Sequence, residues 1–434
     1  MTRLFRLFAA LLALIAAGPA PAEKPAEAPA ETVYVRAGHL IEPSTGEVLK
    51  DRLIRIDNGR VTAILPWAPP PKGAKLIDWS GLWVLPGLID AHVHLADFLQ
   101  TSDPAEPLRR SAEETAYAGA RNARLTLEAG FTTVHDVGSY RGTGNIELRN
   151  AINRGDIPGP RINAVGGYIT VPGGGGELTG LPAGMVVPPE MRMGVVTSPA
   201  DVTAKVNGMF DAGADSIKLI ATGAVLTEGT EPGQIELSGE QIAAAVAAAR
   251  ARGSWVTAHA HGAEGIKLAI RNGARGIEHA SLIDDEGIAL AKANGTYLVM
   301  DVYNGDFIAE VGRRDGWSAE ILRKNDETTE VQRQGFTKAV RAGVKVVFGT
   351  DAGVFPHGLN ARQFRYMVRL GMTPLQAIQS ATTVAAEFLG WDKDVGSLTP
   401  GHYADMIAVE RNPLEDITAL EQVRHVMKGG VVIR

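Results

Sequence analysis

The sequence predicts an α/β protein: a (β/α)8 TIM-like barrel over residues 85–394, with a small β-sandwich domain made from both chain ends, residues 32–84 and 395–434. Three observations lead there. Eight short apolar runs alternate with helical stretches through about 300 interior residues, the pattern of parallel strands with crossover helices. Short alternating runs separated by turn residues occur at both ends of the chain. Finally, His, Lys and Asp side chains recur at the ends of the apolar runs, and a barrel gathers the C-terminal ends of its strands on one face. A doubly wound open sheet is the alternative for the same alternation.

The elements follow in order. Residues 1–22 read as an export signal: Arg3 and Arg6 precede an apolar stretch, 7–17, and Ala20-Pro-Ala22 is a small-x-small cleavage site. The apolar stretch is short for a bilayer. The processed chain is therefore expected in the periplasm or outside the cell, with no stable membrane span. Residues 23–31 (EKPAEAPAE) form a Pro/Ala/Glu linker. Strands are expected at 32–36, 51–57, 60–65 and 75–78, with Asn58-Gly59 as a hairpin turn. Their partners at the far end are 402–410 and 423–433. Barrel strands are expected at 85–95, 132–137, 161–170, 216–221, 255–261, 276–280, 297–303 and 344–350, and helices at 113–129, 239–252, 262–272, 285–294 and 328–342. Residues 166–184 form a Gly/Pro-rich loop after the third strand. Its glycines say only that it bends freely, and no phosphate-loop signature is complete.

Composition narrows the chemistry. With 45% hydrophobic and 21% charged residues the chain is ordinary globular material, and 434 residues are enough for a barrel plus an accessory domain. A net charge of -6 supplies no basic field for nucleic acid. The absence of cysteine excludes disulfides, thiolate metal sites and a cysteine nucleophile. A metal must then be held by His, Asp, Glu or something less usual.

The candidate ligands are these. Asp90-Ala-His92-Val-His94 ends the first barrel run; residues two apart on a strand share a face, so His92 and His94 can grip one ion. His259-Ala-His261 repeats the device on the fifth strand, His279 ends the sixth, and Asp351 ends the eighth. In Ser216-Ile-Lys218-Leu-Ile220, on the fourth strand, Lys218 shares a face with Ile220. A lysine pointing into a barrel is costly unless paired or modified. Its neutral amine can add CO2, giving an anionic carbamate able to bridge two metals. Singly, each residue has a plain reading: polar histidines, a snorkelling lysine, a satisfied interior His279, a turn-capping Asp351. Jointly, they mark five strands of one barrel at its catalytic face.

Over residues 33–430 the sequence resembles the amidohydrolase superfamily. The resemblance rests on Pro86-Gly-Leu-Ile-Asp-Ala-His-Val-His94, Lys218 in SIKLIATG, His259 in TAHAHG, His279 in IEHAS, Asp351 in GTDAG, and Leu398-Thr-Pro-Gly-His-Tyr-Ala-Asp405. TAHAHG and KLIATG make it most similar to the prolidase-like branch, with its Xaa-Pro dipeptidases, carboxypeptidase-like enzymes and ochratoxin A amidases. The resemblance implies two divalent ions, zinc foremost. His92, His94 and Asp351 would bind the first, His259 and His279 the second, and Lys218, as a carbamate, would bridge them. His261 would lie beside the metals and meet the substrate carbonyl. It also implies homo-oligomers.

The expected reaction is hydrolysis of an amide bond in a small molecule, a dipeptide or N-acyl amino acid, by a bridging hydroxide, with Asp351 carrying the proton to the leaving amine. Tyr303, ending the seventh strand, and His357, after the eighth, are candidate contacts for a substrate carboxylate. Arg362 and Arg365 fit a solvated helix face better, and Asp97 could contact substrate or start a turn. A lactonase or cyclic-amide hydrolase could use the same site. A mononuclear deaminase and a non-catalytic scaffold are the remaining rivals, separable by counting about two, one or no ions per chain.

Overall fold

Turn chemistry starts the fold. In the computed structural model, which describes residues 32–97 and 99–434, β1 (Thr32–Glu42) turns into β2 (Glu47–Asp57). Asn58 and Gly59, at φ 53° and 74°, then make the expected hairpin into β3 (Arg60–Pro66). β4 (Lys75–Pro86) pairs in parallel with β1. The expected export signal and linker lie outside the described residues.

The barrel strands are β5 (Leu88–Val93), β6 (Phe131–Asp136), β7 (Arg161–Ala164), β8 (Ile217–Ile220), β9 (Val256–Ala260), β10 (Gly276–His279), β11 (Tyr297–Val299) and β12 (Val346–Val347). Between β5 and β7 lie α1 (Glu106–Arg109), α2 (Ala112–Glu128) and α3 (Gly144–Arg154). Then α4 (Pro199–Asp211), α5 (Gly239–Ala251), α6 (Ala263–Arg271) and α7 (Asp285–Asn294) precede β8, β9, β10 and β11 in turn. α8 (Asn304–Asp315) and α9 (Ala319–Ala342) precede β12, and α10 (Arg362–Arg369), α11 (Pro374–Ser380) and α12 (Thr383–Leu389) follow it. Local signals start many of these helices. Ser111 with Glu114, Ser238 with Gln241, and Thr373 with Gln376 form capping boxes, and Pro199 occupies the first turn of α4.

Parallel ladders run β5-β6-β7 and β8-β9-β10-β11-β12. Two seams close them into a ring. Ile169 N–H donates to Lys218 O at 3.0 Å and Ile220 N–H to Ile169 O at 2.9 Å; Ala91 N–H donates to Phe348 O at 2.9 Å and His94 N–H to Ala352 O at 2.8 Å. Closure rules out the open doubly wound sheet. The strands are shorter than their apolar runs because the chain leaves the ladder early to aim side chains. Residues 344–350 supply only two strand residues, and the helix expected at 328–342 is the end of the 24-residue α9.

β13 (Met406–Val409), β14 (His425–Lys428) and β15 (Val431–Val432) join the N-terminal strands in one seven-stranded sheet, order β15-β14-β13-β4-β1-β2-β3. This sheet has its own core, which includes Val35, Ile54, Ile56, Trp79, Met406 and Met427. Buried Asp405 fastens it to the barrel. It takes Arg161, the first residue of β7, in a two-point pair at 2.8 and 3.1 Å, and accepts Gly429 N–H at 2.7 Å. Removing one partner strands the other. Asp405→Ala is expected to lower the unfolding free energy by about 3 kcal/mol, measured by guanidinium denaturation.

Candidate metal centre

Strand geometry brings the candidate ligands together. His92, His94, Lys218, His259, His261, His279 and Asp351 all line one cavity of about 110 Å³ at the C-terminal ends of the barrel strands. His92 Nε2 and His94 Nε2 each stand 3.4 Å from Asp351 Oδ1. On the other side the rings of His259 and His279 lie 4.5 Å apart, and those of His261 and His279 4.8 Å. Within each of the triads His92–His94–Asp351, His259–His261–His279 and His279–Asp301–Asp351, donor atoms lie within 4.8 Å of one another. His92 Nε2 is buried and makes no hydrogen bond. A ring nitrogen left unmatched beside a carboxylate oxygen suits a divalent cation, as does the all-N/O donor set.

Backbone strain sits at the same points. Asp351, His279 and Ala280 take φ of 60°, 67° and 48°. Non-glycine residues persist there only where the surroundings hold them. Asp351 is held by its N–H on His92 O at 2.8 Å, and the adjoining Gly349 has room for no side chain, since a Cβ would meet Val299 Cγ1 at 2.2 Å and His92 Cβ at 2.9 Å.

A surrounding layer turns each ring. His92 Nδ1 meets Glu278 Oε2 at 2.8 Å; His94 Nδ1 lies 2.9 Å from Gly138 O and 3.0 Å from the Tyr168 hydroxyl, which donates to Asp97. His279 Nδ1 lies 3.1 Å from Asp301, whose other oxygen accepts from Gln332 at 2.8 Å. With Nδ1 outward, the Nε2 atoms of His92, His94 and His279 point inward, as ion-binding imidazoles require. His261 Nδ1 meets Ser281 Oγ at 2.8 Å, and His259 uses Nε2 on Gly223 O at 3.3 Å.

The charged groups are buried side by side. Burial opposes ionisation of Glu278, but His92 and Lys218 outweigh it and hold the carboxyl down to about 2. Burial and Lys218 oppose a proton on His92, yet Glu278 and Asp351 prevail and lift it to about 9. Burial and the neighbouring His279 press His261 down to about 3, so it is neutral. Burial also lowers the Lys218 amine, against the pull of Glu278, Asp351 and Asp301.

Two expected contacts are absent from the cavity lining. Tyr303 was expected at the end of a strand reaching 303, but β11 stops at Val299 and the chain turns, so strand parity no longer aims the side chain. Its hydroxyl accepts from Arg362 Nη1 at 3.1 Å and its ring packs on Phe355 and Tyr366. His357 sits behind the site, between Thr126 Oγ1 at 3.1 Å and His94 O at 3.2 Å, propping the strand that carries His94. Arg365 pairs with Glu421 on the surface. Asp97 accepts from Ser139, Tyr140 N–H and Tyr168.

Sequence reasoning missed Glu278 and Asp301. Both had a signal, since an acid inside Gly-Ile-Glu-His and an acid straight after Tyr-Leu-Val-Met are charges in apolar surroundings. Tyr168, Asn304 and Gln332 had none. The Gly-rich loop is a wall of the cavity through Gly175 and Gly176. Gly175 N–H donates to both Glu236 oxygens, at 2.9 and 3.0 Å.

The amidohydrolase family model matches residues 83–433. The chain belongs to the amidohydrolase family. This amidohydrolase is a hydrolytic enzyme acting on amide bonds. It is 32% identical to ochratoxinase of Aspergillus niger over 425 residues, which cover 92% of this chain and 86% of that protein. The structure of a Xaa-Pro dipeptidase with bound methionine in its active site is 39% identical and superposes with a TM-score of 0.87, covering 92% of this chain and 99% of the other. A prolidase complexed with N-methylphosphonate-L-proline is 28% identical, with a TM-score of 0.85 over 92% and 99% of the two chains.

Glu278→Ala releases the His92 ring and is expected to weaken divalent-ion binding about 10- to 100-fold, measured by competition with a chelator. Glu236 is a pH handle, because burial lifts its carboxyl from 4.5 to about 7 against the Gly175 N–H. Between those values the folded chain keeps a proton that the unfolded chain has lost. This stabilisation is full below pH 4.5 and disappears as pH rises through 7. The stability of wild type relative to Glu236→Gln should therefore fall across that window in urea titrations and be flat above it.

Proposed function

We propose that this amidohydrolase cleaves the amide bond of dipeptides or N-acyl amino acids, amides of the ochratoxin A type included, with two divalent ions, zinc foremost, in the cavity described. The observation that carries the reading is the convergence of seven side chains from five strands on one space of about 110 Å³. The ochratoxinase and Xaa-Pro dipeptidase likenesses support the substrate class. His92, His94 and Asp351 would hold one ion, His259 and His279 the other, and the Lys218 carbamate would bridge them. Forming the carbamate joins Nζ to the carbon of CO2 and releases one proton, which the lowered amine favours. When bound, such a pair lowers the pKa of a shared water and polarises the amide carbonyl.

The chain's own groups do the rest. Asp351 takes the proton of the attacking water and delivers it to the leaving nitrogen, which departs poorly unprotonated. Asn304 Nδ2, 3.2 Å from Asp351 Oδ2, keeps that carboxylate turned to the site. His261, neutral and fixed by Ser281, offers Nε2 to the carbonyl oxygen as negative charge grows on it. Leu99, Ile220, Leu226, Ile308 and Val354 give the cavity an apolar wall that excludes water and accepts an apolar substrate group. The export-signal pattern around Arg3, Arg6 and Ala20-Pro-Ala22 supports a periplasmic or secreted enzyme.

The test is zinc-loaded protein against dipeptides, N-acyl amino acids and ochratoxin A, reading released amino acid and ions per chain. About two ions per chain are expected; one would favour the deaminase reading. Asp351→Asn is expected to lower kcat by about 10²- to 10⁴-fold, and near-normal turnover with ions retained excludes the proton role. Lys218→Ala should lose ions and regain activity with short carboxylic acids. Full ion content and activity without them would remove the carbamate.

A further inference from the structure

We propose that Lys324 is a positioning residue for substrate selectivity: it fixes the loop that walls one side of the cavity, and so determines which acyl and side-chain groups the site admits. The proposal rests on the amide-hydrolysing reading above.

Lys324 lies on α9, its side chain wholly buried. A buried ammonium is tolerated only where its protons find acceptors. All three do. Nζ donates to Thr227 O at 2.7 Å, Thr230 O at 3.0 Å and Glu320 Oε1 at 2.9 Å. The same Glu320 oxygen accepts Gly229 N–H at 2.8 Å, and Arg323, next on the helix, pairs with Glu231 at 2.7 Å. Within the loop, Thr230 Oγ1 takes Ala224 N–H at 3.1 Å and donates to Thr227 O at 2.9 Å. One cation thus pins both carbonyls of a turn that has no helix or strand of its own.

That turn is part of the substrate space, since Ala224, Val225, Leu226 and Thr227 line the cavity. Leu226 packs on a satellite apolar cluster of Ile308, Trp317, Ile321 and Val354. The turn also carries the Gly-rich wall: Thr227 Oγ1 donates to Gly175 O at 2.8 Å and Thr179 Oγ1 to Glu228 O at 2.6 Å. Releasing Lys324 therefore frees both loops on that side. Of the candidate metal ligands, His259 touches the segment next to the turn through Gly223 O, while His92, His94 and His279 are held by groups outside the clamp, so loss of the lysine reaches the reaction chiefly through the shape of the wall.

The test is Lys324→Met, which keeps an unbranched side chain one atom shorter and removes the donors, in zinc-loaded enzyme. N-acetyl-, N-isobutyryl- and N-benzoyl-phenylalanine are the probes. Ion content is expected to stay at the wild-type value. KM for the preferred acyl group should rise roughly tenfold while kcat stays within about threefold, and the preference among the three should narrow. Amide hydrogen exchange over residues 224–231 should quicken. Unchanged KM, preference and exchange in the folded variant overturn the proposal, as does an equal loss of kcat on all three probes. If Lys324→Met does not fold, Glu320→Ala removes the Gly229 anchor from a partly exposed position. It should shift preference and exchange in the same sense, and no shift in either overturns the clamp. If wild type hydrolyses none of the probes, the N-acyl amino acid part of the function reading fails, while the exchange comparison still decides the clamp.

Discussion

The structure depends on one seam, where the first and last barrel strands meet. Buried Asp90 holds that seam from the inside. Its carboxylate accepts Thr350 N–H at 3.1 Å, the Thr350 hydroxyl at 2.6 Å, Asn360 Nδ2 at 2.8 Å and His92 N–H at 3.2 Å. Burial pushes its pKa up to about 6 against the Thr350 hydroxyl, Asn360 and the His92 N–H. Asp90 is thus a buried charge with its lone pairs matched, the condition under which such a group holds a structure together. The same seam sets Asp351 on the far strand opposite His92 and His94 on the near one. Closing the barrel and assembling half the candidate site are therefore one event.

The electrostatics follow from that closure. Asp301, Asp351 and Glu278 are buried beside Lys218 and five histidines. Interactions at this spacing are strong in either direction. The carboxylates are held ionised by the imidazoles, and His92 keeps a proton it would lose in water. A divalent ion can replace that proton with little rearrangement, because Glu278, Tyr168 and Asp301 already turn the rings. The outer groups were thus selected by the same requirement as the inner ones: each must satisfy the atom that the ion does not.

Sequence made the fold and the inner residues legible for a simple reason. Strand parity is a rule of period two, and His92 with His94, or His259 with His261, obey it. The barrel alternation and the sheet shared by the chain ends were readable from apolar runs and from Asn58-Gly59. Tyr303 and His357 were misplaced because both lie beyond the point where the ladder stops, where parity predicts nothing. Tyr168 and Gln332 reach their partners across 74 and 53 residues of sequence, through loop and helix geometry that no local pattern encodes. Glu278 and Asp301 could have been found by treating every acid in an apolar strand as a question about its partner.

α9 shows how such distant groups come to act as one. Along its inward face, Lys324 holds the loop carbonyls, Asn325 and Thr328 line the cavity, and Gln332 braces His279 O at 3.0 Å and Asp301 at 2.8 Å. These positions fall at the spacings that place residues on one helix face. The outer wall of the substrate space and the support of a candidate ligand therefore hang from one rigid rod. A rod of this kind fixes the distance between the part of the site that would recognise the substrate and the part that would polarise it. Loop sequence on that side can then change without disturbing the strands, which separates the choice of substrate from the chemistry performed on it.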